Sequence, residues 1–357
     1  MADDLSSPPP DAWYRGITRR RWWPWFKHGI SLAFFCVVAW LVVSQARTIA
    51  WGSVWTSLQA MPWQLLAAGC GIAVLTHLAY SCFDLIGRHC ARHTLPAPLV
   101  LLVAFVSYAF TLNVGTLVGG VAFRWRLYDH FGLNPGAITH VTLLSMVTNW
   151  IGYSLLAGGV LLAWPPELPP GWPLDGGHLR ILGSAALAIA AAYVLFCALR
   201  RGRQLDVGSR RILMPGWRTA VLQEGLSALH WALMASIIYL LLGRQVAYTA
   251  VLATLLVAAV AGVLAHVPAG LGVTEAVFVA LLGHQVDKGQ LLAALLAYRA
   301  VYYLGPLAIA SVAAGVIEFH RRRDAAEEAQ VAAAGPARPV PPQDPARAPA
   351  KAAWHSQ

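Results

Sequence analysis

Arg299 sits inside an apolar run, between Leu291-Leu-Ala-Ala-Leu-Leu-Ala-Tyr298 and Ala300-Val-Tyr302-Tyr-Leu304. An arginine at that depth of a bilayer costs on the order of 3 kcal/mol on insertion scales and needs a partner. Glu275 is the natural one, just past the small-residue knot Val267-Pro-Ala-Gly270-Leu-Gly272. Such a pair can pin the chain. It can also receive an anionic headgroup, because a helix N-terminus beside an arginine suits a phosphate. The N–H groups after Gly270 and Gly272 would supply that terminus, and Glu275 would oppose the anion unless Arg299 neutralises it. Tyr302, close after Arg299, completes this candidate set.

A second set follows another knot. Asn113-Val-Gly-Thr-Leu-Val-Gly-Gly120 leads into Arg124-Trp-Arg126-Leu-Tyr128. Near the membrane surface these arginines could hold a lipid phosphate or snorkel to headgroups. His140, Asn149, Tyr153 and His230 fall in spans, where they line a cavity or hydrogen-bond between helices. Both knots interrupt long hydrophobic segments, Ala109–Gly132 and Gly262–Gly283. Paired interruptions in two halves of a membrane protein point to a transporter-type site.

Composition supplies the setting. Hydrophobic residues make up 58% of the chain and charged residues 12%, about half the usual soluble share. Apolar runs recur from Ile30 to Ile317. An all-α polytopic membrane protein is expected, since helices satisfy their own backbone groups in lipid. The net charge of +10 does not indicate nucleic acid, because the arginines gather at helix ends. Cys36, Cys70, Cys82 and Cys197 lie inside predicted helices as small apolar residues. His89, Cys90 and His93 form a short cluster with no second one to complete a metal site. The N-terminus does not read as a signal peptide. No Walker loop, zinc-protease helix motif or Gly-x-Ser-x-Gly occurs, so no enzyme, cofactor or metal is expected.

Six spans and two re-entrant helical hairpins account for the pattern. Residues 1–27 form a polar segment ending in a basic, aromatic anchor. Residues 28–164 make a first membrane repeat with spans at about His28–Ala46, Trp63–Ile86 and Ile138–Trp164 and a hairpin at 96–130. Residues 165–178 form an external loop. Residues 179–317 make the second repeat, with spans at about Leu179–Leu199, Thr219–Leu242 and Gln290–Ile317 and a hairpin at 248–283. Residues 318–357 form a disordered cytoplasmic tail. This arrangement puts both termini, Arg124, Arg126 and the Arg200–Arg218 loop inside, the expected side for positive charge. The repeats are then inverted, and their hairpin tips can meet near the midplane.

Val267-Pro-Ala-Gly-Leu-Gly-Val-Thr-Glu275, Tyr298-Arg-Ala-Val-Tyr-Tyr-Leu-Gly-Pro306 and Gly119-Gly-Val-Ala-Phe-Arg-Trp-Arg-Leu-Tyr128 together resemble the membrane (flippase) region of lysylphosphatidylglycerol synthases and their stand-alone relatives. The resemblance spans about Ile30 to Ile317, with Ala269 where that family usually has glycine. It implies a lipid translocase in a bacterial cytoplasmic membrane, moving an anionic phospholipid or related amphiphile. The cytosolic synthase domain has no counterpart here, so aminoacyl transfer is not expected. The alternative is a non-transporting membrane partner of a lipid or glycan synthesis enzyme. Association into a homo-oligomer is left open.

Overall fold

The structure, a computed structural model, describes residues 51–166, 175–200, 204–207, 210–265 and 267–334. The expected first span, the basic anchor before it, most of the Pro165–His178 loop and the end of the tail lie outside the described residues.

A short helix α1 (Trp51–Gln59) precedes α2 (Trp63–Ala91), α3 (Ala97–Val114), a π-helical stretch π1 (Thr116–Phe123), α4 (Arg124–His130) and α5 (Pro135–Ala163). The second half holds α6 (Gly176–Leu199), a hairpin of two short antiparallel strands, β1 (Gln204–Val207) and β2 (Arg210–Leu213), then α7 (Trp217–Leu241) and α8 (Tyr248–Ala265). A single 3₁₀ turn (Pro268–Gly270), α9 (Val273–Leu282), α10 (Lys288–Tyr298), π2 (Arg299–Leu304) and α11 (Gly305–Ala334) complete it. Helix starts carry their signals. Asn134 accepts from the Ala137 N–H, Asp175 from that of His178, and Asp287 from those of Gly289 and Gln290.

Among the described residues seven helical stretches are long and apolar enough to cross a membrane: α2, α3, α5, α6, α7, α8 and the run Lys288–His320. Their outward faces carry large apolar side chains such as Ile181, Leu199, Leu264, Ile309 and Val312, which suit lipid contact. The chain is therefore an all-α, multi-pass membrane protein. Five expected spans reappear as α2, α5, α6, α7 and the Lys288–His320 run. The strand pair within the Arg-rich loop and the helix α1 were not foreseen, being too short for periodicity to register.

Both broken elements fold back on themselves. In the first, Phe110 on α3 stacks on Phe123 of π1, with ring centroids 4.0 Å apart. Gly119 permits this approach, since a Cβ there would collide with the backbone of Phe110 and Thr111. In the second, α8 packs against α9 across the 3₁₀ turn. Between them, α2, α5 and α7 form the packed centre, with Tyr80, Phe83, Ile237, Ile238 and Leu241 buried together. The chain divides into two units at Ser311, the second being Val312–Gln357, whose described part continues α11 to Ala334.

Candidate functional site

The second knot is a locked turn. Ala269, Gly270 and Gly272 all take positive φ, at 57°, 57° and 77°. That path aims the carbonyls of Ala269 and Gly270 at Arg299. Its Nη1 donates to Ala269 O at 3.0 Å, and its Nη2 donates to Gly270 O at 3.1 Å and to Glu275 Oε2 at 3.0 Å. Its Nε bonds Glu275 Oε1. A guanidinium fork can reach all these acceptors at once, which an ammonium cannot. Glu275 Oε2 also accepts the Gly272 N–H at 2.9 Å, capping α9 with the helix's own carboxylate. The two side chains retain 12% and 18% exposure. Gly270, Gly272, Glu275 and Arg299 thus come together, and the Gly272 N–H at the head of α9 already has a partner in Glu275.

The first hairpin carries the opposite arrangement. Arg124 does not reach toward headgroups. It is 1% exposed, and its Nε lies 3.2 Å from Oδ2 of Asp84, which is 0% exposed. Tyr128, also fully buried, donates its hydroxyl to the same oxygen at 2.8 Å. Of the two readings of Arg124, snorkelling does not match this placement: the hairpin turns this face of α4 inward, where Asp84 offsets the cost of burying the charge. Arg126, two residues further along the helix, is exposed.

Tyr302 belongs to a third cluster. Its hydroxyl lies 2.8 Å from that of Tyr108 on α3, which in turn lies 3.1 Å from His230 Nε2 on α7. His230 Nδ1 is 3.1 Å from the Thr76 carbonyl of α2. The ring of Tyr80 stacks on Tyr108 at 3.5 Å. His230 is therefore a bond between helices, not a cavity wall. Asn149 is likewise engaged through its backbone carbonyl, which accepts from Ser227 Oγ and Trp231 Nε1. Tyr153 donates to Leu256 O at 2.8 Å.

The two hairpins meet. Helix α3 packs against the Pro268–Gly270 turn and against π2. At its end Asn113 Nδ2 donates to Tyr303 O at 3.3 Å, a carbonyl of the π-helical stretch that begins at Arg299. Single-turn π distortions gather at functional sites because they leave main-chain groups to be satisfied by others.

Residues 29–310 match the family described as lysylphosphatidylglycerol synthase TM region. The chain belongs to that family. It is 41% identical over 302 residues to the inner membrane protein YbhN of Escherichia coli K12, covering 84% of this chain and 95% of that protein. It is 29% identical to the Synechocystis protein slr0712, covering 82% and 92% of the two chains. It is 25% identical to the phosphatidylglycerol lysyltransferase of Staphylococcus haemolyticus over 65% of this chain but 27% of that enzyme.

In this family member, three groups were not singled out from sequence, two of them beside the candidate residues and one away from the hairpins. Asp84 is the sole acid in α2, and that rarity was the available signal. Tyr108 looked like one more aromatic in a hydrophobic run. Glu224 is the sole acid in α7, inside the expected span Thr219–Leu242.

Proposed function

We propose that this protein is a lipid translocase of the cytoplasmic membrane, in which the two hairpins form a gate that an amphiphile's headgroup passes. One observation carries this reading: the turn of the second hairpin, held by Arg299, packs against the end of α3 in the first hairpin. Any movement of one arm must be accommodated by the other. The hairpins are taken as re-entrant, since their second arms, residues 116–130 and Val273–Leu282, are short and fold back on the first. Both termini are placed on the cytoplasmic side from the arginine distribution. The structure is read as a closed state, with Arg124 and Arg299 engaged by Asp84 and Glu275. An anionic phospholipid would compete with Glu275 for Arg299. Aminoacyl transfer is not assigned to this chain, which matches the lysyltransferase along 27% of that enzyme's length.

A second reading has its own support. Arg124 and Arg299 lie in two separate ion pairs within the chain, as a braced scaffold would require. Such a scaffold would serve as a non-transporting membrane partner of a lipid or glycan synthesis enzyme. Leaflet exchange of a labelled phospholipid in proteoliposomes separates the two. Translocation predicts exchange above that of protein-free vesicles, and its loss in an Arg299→Gln, Glu275→Gln double variant that remains folded. Exchange equal to empty vesicles, or unchanged in the double variant, defeats the gate.

A further inference from the structure

Away from the hairpins lies a buried acid with one oxygen left without a hydrogen bond. Glu224 on α7 is 7% exposed, and its Oε1 is buried without a hydrogen bond. Its neighbour Gln223 has a partner at each end of its amide. The Gln223 amide donates to Thr148 Oγ1, and its carbonyl oxygen accepts from Tyr193 at 2.8 Å. Glu224 instead lines an open groove of about 820 Å³, whose other walls are apolar, among them Leu155 of α5, Leu187, Val194 and Leu195 of α6, and Trp217 of α7.

The groove has a cause in the helix packing. Helices α5 and α6 touch closely at Gly158 and Gly183, where a Cβ on either would press on the other's carbonyl, at 2.8 and 3.1 Å. Small residues let helices approach this way in membranes. Helix α6 packs extensively along α5 and much less on α7, which leaves the space between α6 and α7 toward the Leu199 end unfilled.

An apolar slot of this size suits an alkyl chain. A lone carboxylate on its wall is costly unless a cation or strong donor meets it. Glu224 stands seven residues past Trp217 in α7, roughly 10 Å along the axis at 1.5 Å per residue. Arg218, at the same end, lies 5.5 Å from the centroid of the Trp217 ring. A cation therefore stands beside Trp217 at the groove's end, and an acid lies farther in on an apolar wall. We infer that this groove binds a phospholipid whose headgroup ends in a primary ammonium, with an acyl chain along α6, the ammonium on Glu224 and the phosphate toward Arg218. The inference names a lipid class for the translocation reading and rests on it for its purpose, but the binding can be measured without any transport.

The test uses the full chain in detergent micelles doped with phospholipids carrying brominated acyl chains, which quench nearby tryptophan. Trp217 lines the groove, so the quenching lost in Trp217→Phe reports its occupancy. An ethanolamine headgroup keeps its N–H donors, whereas choline has the same charge and none. Half-quenching should need at least fivefold less of the ethanolamine lipid than of the choline lipid. Glu224→Gln should bring the two within twofold, and Glu224→Asp should keep most of the preference. Should Trp217→Phe fail to fold, a fluorophore on Leu195→Cys, 59% exposed on the groove wall, reads the same occupancy. No quenching at either position overturns the acyl-chain site. A headgroup preference that survives Glu224→Gln overturns the role of the carboxylate. Leaflet exchange can fail with this binding intact, so a failed gate and a failed groove give different results.

Discussion

The two hairpins each pair one arginine with one carboxylate, yet the pairs do different physical work. In the first, Asp84 and Arg124 are 0% and 1% exposed and are joined by Tyr128. In the second, Glu275 and Arg299 keep 18% and 12% exposure, and the arginine also holds two main-chain carbonyls of a turn. The first ties α4 to α2 through side chains alone. The second ties a left-handed turn to a π-helical stretch, so its loss would free backbone as well as charge. A buried pair adds little net stability over apolar residues of the same shape, but breaking it is expensive. A partly exposed pair that satisfies carbonyls is cheaper to break and easier to open. The difference makes the first hairpin the anchor and the second the part suited to move.

The largest expected effect tests the anchor. Asp84→Ala leaves Arg124 buried and unpaired, and should cost about 3–5 kcal/mol of stability. The thermal midpoint in detergent should fall sharply, while Asp84→Leu with Arg124→Met should recover most of it. If Asp84→Ala costs no more than Arg299→Ala, the contrast between the hairpins is wrong. Arg299→Ala itself should cost about 1–3 kcal/mol, reduced by the water that reaches the pair. Arg299→Lys should recover only part of this, because one ammonium cannot reproduce the fork. Limited proteolysis at the Pro268–Gly272 turn should rise in both variants, and an unchanged cleavage rate would remove the lock.

Tyr108→Phe sharpens the link between hairpins. It leaves His230 and the Tyr302 hydroxyl without their shared partner, and should cost about 1–2 kcal/mol. A variant as stable as the parent would mean that packing and the Asn113–Tyr303 bond couple α3 to π2 without the Tyr108 hydroxyl. The smallest effect should be a gain. Ala269 is the one non-glycine residue of the turn with positive φ, so Ala269→Gly should stabilise by up to about 1 kcal/mol in the thermal midpoint. A loss instead would mean that the unfolded chain's greater freedom outweighs the relieved strain.

The sequence by itself determined the membrane setting, the helical class and the two breaks, because these follow from local composition. A run of apolar residues, a glycine-rich knot and a capping Asn or Asp each act within a few residues. The meeting of Glu275 and Arg299 was also legible, since an arginine inside a span demands an acid and few were on offer. Tertiary structure decided the rest. Arg124 turned from an interfacial residue into a buried one only because the hairpin closed over Asp84, forty residues earlier. Tyr302 became a hydrogen-bond partner of Tyr108 only when α3 packed on π2. Glu224 faces a groove only because α5 and α6 cross tightly at Gly158 and Gly183 and leave α7 partly uncovered. Local chemistry fixes what a residue can do, while burial and partnership depend on which distant segment arrives beside it.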